Sequence, residues 1–322
     1  MMTRAGMQSD NLRMAVIVIL LTVMTLSLGD AVIKALSANL VLWQIFVLRS
    51  CLAVPLLLLV LKRRFSSVAL VPKAPGWTAV RSLMLVAMWV FYYASLPHLQ
   101  LSVAAAAYYT LPLFITLFSA FLIGETVGRA GWFAVVLGFA GVVLILKPAT
   151  DDFNFYAVLP LISAMLYALA MILTRTKCRD EHPLVLSGAL NITFIAVGVL
   201  ATFSGSFLKS LGISSPFLSS TWATMGNPEI LAVMLLGVAI LVASIGTAVA
   251  YQNGPSSVVA TFDFAYVGFA VIWGLLFFQE WPDTLAVAGI MVITVAGVIA
   301  VRRQSPQKRH VDITRSYRKP HS

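Results

Sequence analysis

Long apolar runs separated by short polar segments form the dominant pattern of this chain. A helix needs about 20 mostly apolar residues to cross the roughly 30 Å hydrocarbon core of a bilayer. Ten segments have this character, and they lie at 14–36, 40–61, 77–97, 101–123, 128–146, 155–174, 184–204, 229–251, 255–278 and 283–301. The pattern predicts an all-α membrane protein with ten transmembrane helices.

The first apolar run raises the question of a signal peptide, because two arginines precede it. Its apolar stretch is longer than a signal peptide requires, and Lys34 stands near its end. We therefore expect a retained first helix.

Composition agrees with a membrane protein and excludes several other classes. Hydrophobic residues make up 60% of the chain, charged residues 11%, and the mean hydropathy is +0.93. Soluble domains carry about 25% charged residues. The net charge of +10 is spread over short clusters between the spans, so nucleic acid is not an expected partner. Two cysteines and four scattered histidines give no disulfide framework and no metal-ligand spacing.

The positions of the basic residues predict the orientation in the membrane. With a cytoplasmic N-terminus, 17 of the 22 lysines and arginines fall on the cytoplasmic side and only Lys147 and Lys209 on the other. Cytoplasmic loops are enriched in Lys and Arg. We expect a multi-pass protein of the inner membrane with a cytoplasmic N-terminus at 1–13 and a basic cytoplasmic tail at 302–322.

Two stretches of the chain resemble each other at a nearly constant offset. One runs from Leu101 to Leu146 and the other from Pro255 to Val301. Each has a helix that opens with small residues, a glutamate near the end of that helix, and a second helix with Ala-Gly-Val. The glutamates, Glu125 and Glu280, are 155 residues apart.

This repeat divides the spans into two halves, 14–148 and 149–301. Because each half has an odd number of spans, five, the second half is predicted to be inverted relative to the first. Inverted repeats are typical of secondary transporters, whose substrate sites lie near the bilayer midplane between the halves.

Several motifs carry a family resemblance. Lys34 in the first span, Arg49 in the second, "IGE" at Ile123–Glu125 and "GFAGVVLILKP" at Gly138–Pro148 together resemble the drug/metabolite transporter superfamily, specifically its ten-helix EamA-type proteins. The resemblance covers residues 14–301 and implies transport of a small metabolite. In the second half the sequence departs from the usual Gly-Glu, because Gln279 stands before the glutamate.

Two further motifs indicate a branch of that superfamily. The stretches "GDAVIKAL" at Gly29–Leu36 and "YYTLPLF" at Tyr108–Phe114 are similar to carriers of S-adenosylmethionine, riboflavin and amino-acid-like metabolites. The resemblance implies this range of small amphipathic solutes and no single substrate.

Charged residues inside the spans are the first candidates for a functional site. A charge at the bilayer centre costs from about 2.5 to more than 10 kcal/mol, so such residues usually face the protein interior. Asp30 and Lys34 share a helix face and can pair. Arg49 and Asp263 fall at similar depth, so we expect that the arginine can bridge to the aspartate. These four residues form either a substrate or proton pathway or two structural ion pairs.

Aromatic residues add a second group of candidates. Tyr108, Tyr109 and Tyr266 lie near the charged positions, and a buried tyrosine hydroxyl needs a hydrogen-bond partner. We assign them provisionally to the same pathway. Glu125 and Glu280 each precede a helix, where the helix dipole favours a negative charge, so we expect structural roles at helix ends.

The sequence therefore predicts a secondary transporter that moves a small organic metabolite by alternating access. No Gly-rich ATP-binding loop is present, so the energy is expected from an ion gradient, with protons as the first candidate, or from exchange. No cofactor and no metal are expected. An intramembrane enzyme that uses Asp30 and Asp263 is the alternative, although the motifs of membrane aspartyl proteases are missing. The oligomeric state stays open.

Overall fold

The computed structural model describes residues 4–64, 71–124, 127–146, 154–203, 215–253 and 256–304. All regular elements in these ranges are helical. Nine helical segments of the described residues are long and apolar enough to cross a membrane, and Asn227–Ala243 forms a shorter apolar helix. The predicted fold class, an all-α membrane protein, is confirmed. The division into ten spans and two inverted halves stays a prediction.

We number the helices in chain order. They are α1 (Arg4–Leu36), α2 (Leu42–Arg64), α3 (Pro75–Ser95), α4 (Leu101–Tyr108), α5 (Leu111–Phe118), α6 (Arg129–Leu146), α7 (Val158–Lys177), α8 (Pro183–Phe203), α9 (Pro216–Ser219), α10 (Asn227–Asn253), α11 (Ser256–Asp263), α12 (Ala265–Phe278) and α13 (Thr284–Gln304). A π-helical turn, Ser119–Ile123, follows α5, and 3-10 turns lie at Leu96–His98 and Phe155–Ala157.

Two of the predicted spans are broken near their middle. The fourth is divided into α4 and α5 at Tyr109 and Thr110, and the ninth is divided into α11 and α12 at Phe264. Pro112 accounts for the first break, because proline lacks the N–H that would continue the helix. The second break has no proline nearby. Tyr109 and Phe264 are 155 residues apart, which is the offset between the two glutamates of the sequence repeat.

The same offset relates two left-handed turns. Gly124 ends the π-turn with φ of 77°, and Gln279 ends α12 with φ of 53°. Glycine adopts this conformation at no steric cost, whereas a residue with a Cβ is strained there. Gln279 therefore keeps a backbone shape that its side chain does not favour, and this turn directs the following Glu280 back toward α4.

Close contacts between helices rest on small residues. Helix α6 packs along α13, and a Cβ placed at Gly289 would lie only 2.8 Å from the carbonyl oxygen of Gly141. Small residues allow membrane helices to approach in this way. Helix α1 packs against α10, α11 and α12, so it joins the two predicted halves and brings Asp30 and Lys34 between them.

Candidate functional site

A cavity of about 180 Å³ lies between α1, α2, α3, α8 and α10. Its charged lining residues are Asp30 and Arg49, which are only 4% and 3% exposed. Tyr93, Ser187 and Asn191 add polar groups, and the remaining walls are apolar. Three of the helices come from the first predicted half and two from the second. An apolar pocket with a few convergent polar groups is the usual form of a small-molecule site.

Arg49 is held between aromatic rings at one wall of the cavity. Its guanidinium carbon lies 5.1 Å from the ring centroid of Phe46 and 4.6 Å from that of Phe194. These distances are typical of cation–π contacts. Its Nε is buried without a hydrogen-bond partner among the described residues, although Asp30 and Tyr93 lie close enough to interact with the charge. The arginine therefore keeps donor capacity for a ligand.

The expected bridge from Arg49 to Asp263 is wrong. The structure places the arginine beside Asp30, and among the described residues no lysine or arginine forms an ion pair with Asp263. Similar depth in the membrane allows such a bridge only between neighbouring helices, and depth does not determine which helices pack together.

Asp30 connects helices of both halves through two phenols. Its Oδ2 accepts hydrogen bonds from the hydroxyl of Tyr92 on α3, at 3.1 Å, and from that of Tyr266 on α12. The two hydroxyls are themselves 3.1 Å apart. Sequence reasoning found Tyr266 but missed Tyr92. The sequence feature that could have identified Tyr92 is the Tyr92-Tyr93 pair, which resembles the Tyr108-Tyr109 pair of the fourth span.

The predicted tyrosines form one aromatic cluster beside the cavity. Tyr109 stacks on Tyr266 with ring centroids 4.8 Å apart, and Tyr108 lies 5.1 Å from Tyr92 and 6.1 Å from Tyr167. Asp263 interacts with the Tyr109 hydroxyl of this cluster. The structure thus brings Asp30 and Arg49 together in the cavity and leaves Asp263 outside its lining.

Lys34 does not pair with Asp30, and this prediction is wrong. Its Nζ donates instead to Glu280 and to the carbonyl oxygen of Leu99, and lies 5.0 Å from the ring centroid of Phe278. Residues four apart on one helix can touch, but the left-handed turn at Gln279 brings a carboxylate to the lysine from another helix. Lys34 and Glu280 therefore form an ion pair between α1 and the residue that follows the turn after α12.

Glu280 stabilises a helix end, but not the expected one. Its Oε2 accepts the backbone N–H of Leu101, at 2.8 Å, at the start of α4. The helix that follows Glu280, α13, is capped by Asp283, whose Oδ1 accepts the N–H of Ala286 at 2.8 Å. An acceptor at the first N–H groups of a helix satisfies donors that have no partner within the helix. Glu125, the predicted counterpart, lies outside the described residues.

Comparison with known proteins shows which proteins this chain resembles. Residues 13–147 match the EamA-like transporter family. The resemblance to EamA-like transporters is confirmed. A pseudopaline exporter of Pseudomonas aeruginosa is 28% identical over 294 residues, which cover 91% of this chain and 98% of the relative. A riboflavin transporter of Rhizobium johnstonii is 29% identical over 221 residues, which cover 69% of this chain and 67% of the relative.

A more distant relative and a solved structure add to these similarities. An S-adenosylmethionine uptake transporter of Rickettsia prowazekii is 22% identical and covers 90% of this chain and 94% of the relative. A crystal structure with 21% identity matches the fold with a TM-score of 0.53 over 92% of this chain and 98% of its own length. Membrane transport of a small metabolite is the function that these relatives support, and an intramembrane enzyme is not favoured.

Proposed function

We propose that this EamA-like protein carries a small amphipathic metabolite with an anionic group, such as an amino-acid-like solute, through the cavity between α1, α2, α3, α8 and α10. The observation that supports this most is the Arg49 side chain, which is buried in the protein and lines the cavity. Arginine binds carboxylate and phosphate groups with paired hydrogen bonds. A purely structural arginine is normally satisfied by protein acceptors at this degree of burial.

The other cavity residues define the ligand further. Asp30 lies beside the arginine and offers a carboxylate to a substrate amine. Ser187 and Asn191 provide hydroxyl and amide groups on the opposite wall, and Trp89 adds an aromatic surface. A solute with both an amine and a carboxylate would satisfy the two charges at once, since each partner is buried and unable to reach bulk water.

We propose that the chain consists of two inverted halves, 14–148 and 149–301. We also propose that the protein lies in the inner membrane with both chain termini in the cytoplasm. The repeated helix breaks and left-handed turns, each 155 residues apart, support the halves. In this orientation the Lys34–Glu280 pair lies on the outer side. The cavity reaches Ser187, only four residues after the cytoplasmic start of α8 and roughly 6 Å from it. The structure then represents a state closed toward the outside.

Alternating access between this state and an outward-open one would move the solute, driven by an ion gradient or by exchange. An enzyme that uses Asp30 and Asp263 together is not supported by the geometry. Asp30 lines the cavity and Asp263 does not, so the two carboxylates do not converge on one bound group.

A ligand screen on the purified protein tests the proposal. Thermal stability would be measured in detergent with amino acids, S-adenosylmethionine, riboflavin, nucleosides and carboxylates, for the parent and for Arg49→Lys. Lysine keeps the charge but loses the planar fork, so we expect at least roughly tenfold weaker binding of the stabilising ligand. Arg81→Lys makes the same change outside the cavity and should bind as the parent does. Equal binding by both variants would contradict the role of Arg49.

A further inference from the structure

Asp263 occupies a position that the substrate cavity does not explain. It is the last residue of α11, directly before the break that separates α11 from α12. Asp263 is about eight residues from the start of α11. The break after Tyr108 is likewise about eight residues from the start of α4. The two helices start at opposite membrane surfaces, so each break lies roughly 12 Å from its own surface. Both broken ends are therefore near the bilayer midplane.

The two broken helices meet at Tyr109. Its ring lies edge-on to Phe264, with centroids 5.3 Å apart, and stacks on Tyr266. Its hydroxyl is close enough to the Asp263 carboxylate to interact with it. Broken membrane helices leave carbonyl groups without helical partners, and in secondary transporters such ends bind coupling ions.

In the part of the chain that the structure describes, the titratable groups that interact with Asp263 are phenols. They are Tyr109 and Tyr108 near the break of the fourth span and Tyr167 on α7. None of the described lysines and arginines on the helices packed around α11 forms an ion pair with it. A carboxylate at the midplane without a cation is costly, and such residues usually mark ion or proton pathways.

We infer that Asp263 and Tyr109, at the meeting point of the two broken helices, form the binding site for a small monovalent coupling cation, separate from the substrate cavity. A proton would neutralise the carboxylate directly, and a sodium ion would add carbonyl oxygens from the broken helix ends. The inference rests on the transport function proposed above. Tyr109 stacks on Tyr266, whose hydroxyl binds Asp30, so the cation site is connected to the cavity through two rings.

Thermal stability of the full chain in detergent tests this site without any substrate. The parent would be melted from pH 8 to pH 5 in KCl, and at pH 8 with NaCl in place of KCl. A bound cation stabilises the folded state, so we expect the melting temperature to rise by about 3 °C or more. The rise should come with falling pH if the cation is a proton, and with NaCl if the cation is Na⁺. Asp263→Asn should remove the rise, and Asp180→Asn, the matched change at an exposed aspartate outside the site, should retain it.

Further outcomes keep the inference open to refutation. Tyr109→Phe preserves the ring and removes only the hydroxyl, so it should fold and weaken the cation response even where Asp263→Asn is unstable. Absence of any response in the parent, or a response lost in Asp30→Asn and kept in Asp263→Asn, would overturn the site. The assay contains no metabolite. A failed ligand screen with an intact cation response would therefore count against the proposed substrate class and leave the cation site standing.

Discussion

Charge reversal at Lys34 is expected to open the outer side of the protein. The lysine joins α1 to Glu280 of the other predicted half, and Glu280 in turn holds the first N–H group of α4. Lys34→Glu would replace this attraction by repulsion between two carboxylates in a nearly dry site. Breaking a buried ion pair costs about 3–5 kcal/mol, which corresponds to on the order of a 100-fold shift toward states without the contact.

Thiol labelling measures this opening. In a background with Cys51 and Cys178 replaced by serine, Ile33→Cys places a thiol at the cavity wall. A membrane-impermeant reagent added from outside should label it slowly in the parent and on the order of 100 times faster with Lys34→Glu. The reciprocal change Glu280→Lys, added to Lys34→Glu, should slow labelling again. Equal labelling rates in all three proteins would show that this pair does not close the outer side.

Separate removal of Asp30 and Arg49 is expected to destabilise the protein more than their joint removal. Each single change leaves one buried charge without the nearby opposite charge. The two groups interact without forming a direct ion pair, so the expected cost is about 2–3 kcal/mol. Asp30→Asn leaves the Arg49 guanidinium without the nearby carboxylate. Arg49→Met leaves the Asp30 carboxylate with its hydrogen bonds from Tyr92 and Tyr266 but without the nearby positive charge. The double variant has neither charge, so its free energy of unfolding should return to within about 1–2 kcal/mol of the parent.

Thermal and denaturant unfolding of the four proteins measure the coupling between the two positions. A ligand assay on the double variant then separates stability from function, because we expect a stable protein that binds no anionic solute. Strictly additive losses would mean that the two charges do not interact, despite their shared cavity wall. Ligand binding by the double variant would place the substrate site elsewhere.

Hydrophobic periodicity was sufficient to predict most of the fold. Apolar runs long enough for a bilayer begin and end within a few residues of the observed helices, because nothing else in the sequence competes with that signal. The break in the fourth span has a local cause, because Pro112 follows it closely and cannot continue the helix. The break at Phe264 could not be predicted locally, since no proline or glycine marks it, and only comparison with the first half indicates the position.

The contacts of the site were harder to predict than its members. Asp30 and Arg49 were predicted as site residues because charges in spans usually face the interior, and both line the cavity. Their partners depend on which helices are neighbours, and neither spacing nor depth contains that information. Lys34 meets a carboxylate 246 residues away instead of one four residues away. Tyr92 was missed because a tyrosine in an apolar span looks the same whether it packs or binds an acid.

Counterflow in proteoliposomes tests the central claim most directly. Vesicles with the purified protein would be loaded with the ligand that gives the largest thermal shift, and uptake of the labelled ligand from outside would be followed. We expect the parent and Arg81→Lys to accumulate label, and Arg49→Lys to do so at least roughly tenfold more slowly, because the guanidinium binds the anionic group. Uptake by Arg49→Lys at the rate of the parent would contradict transport through this cavity.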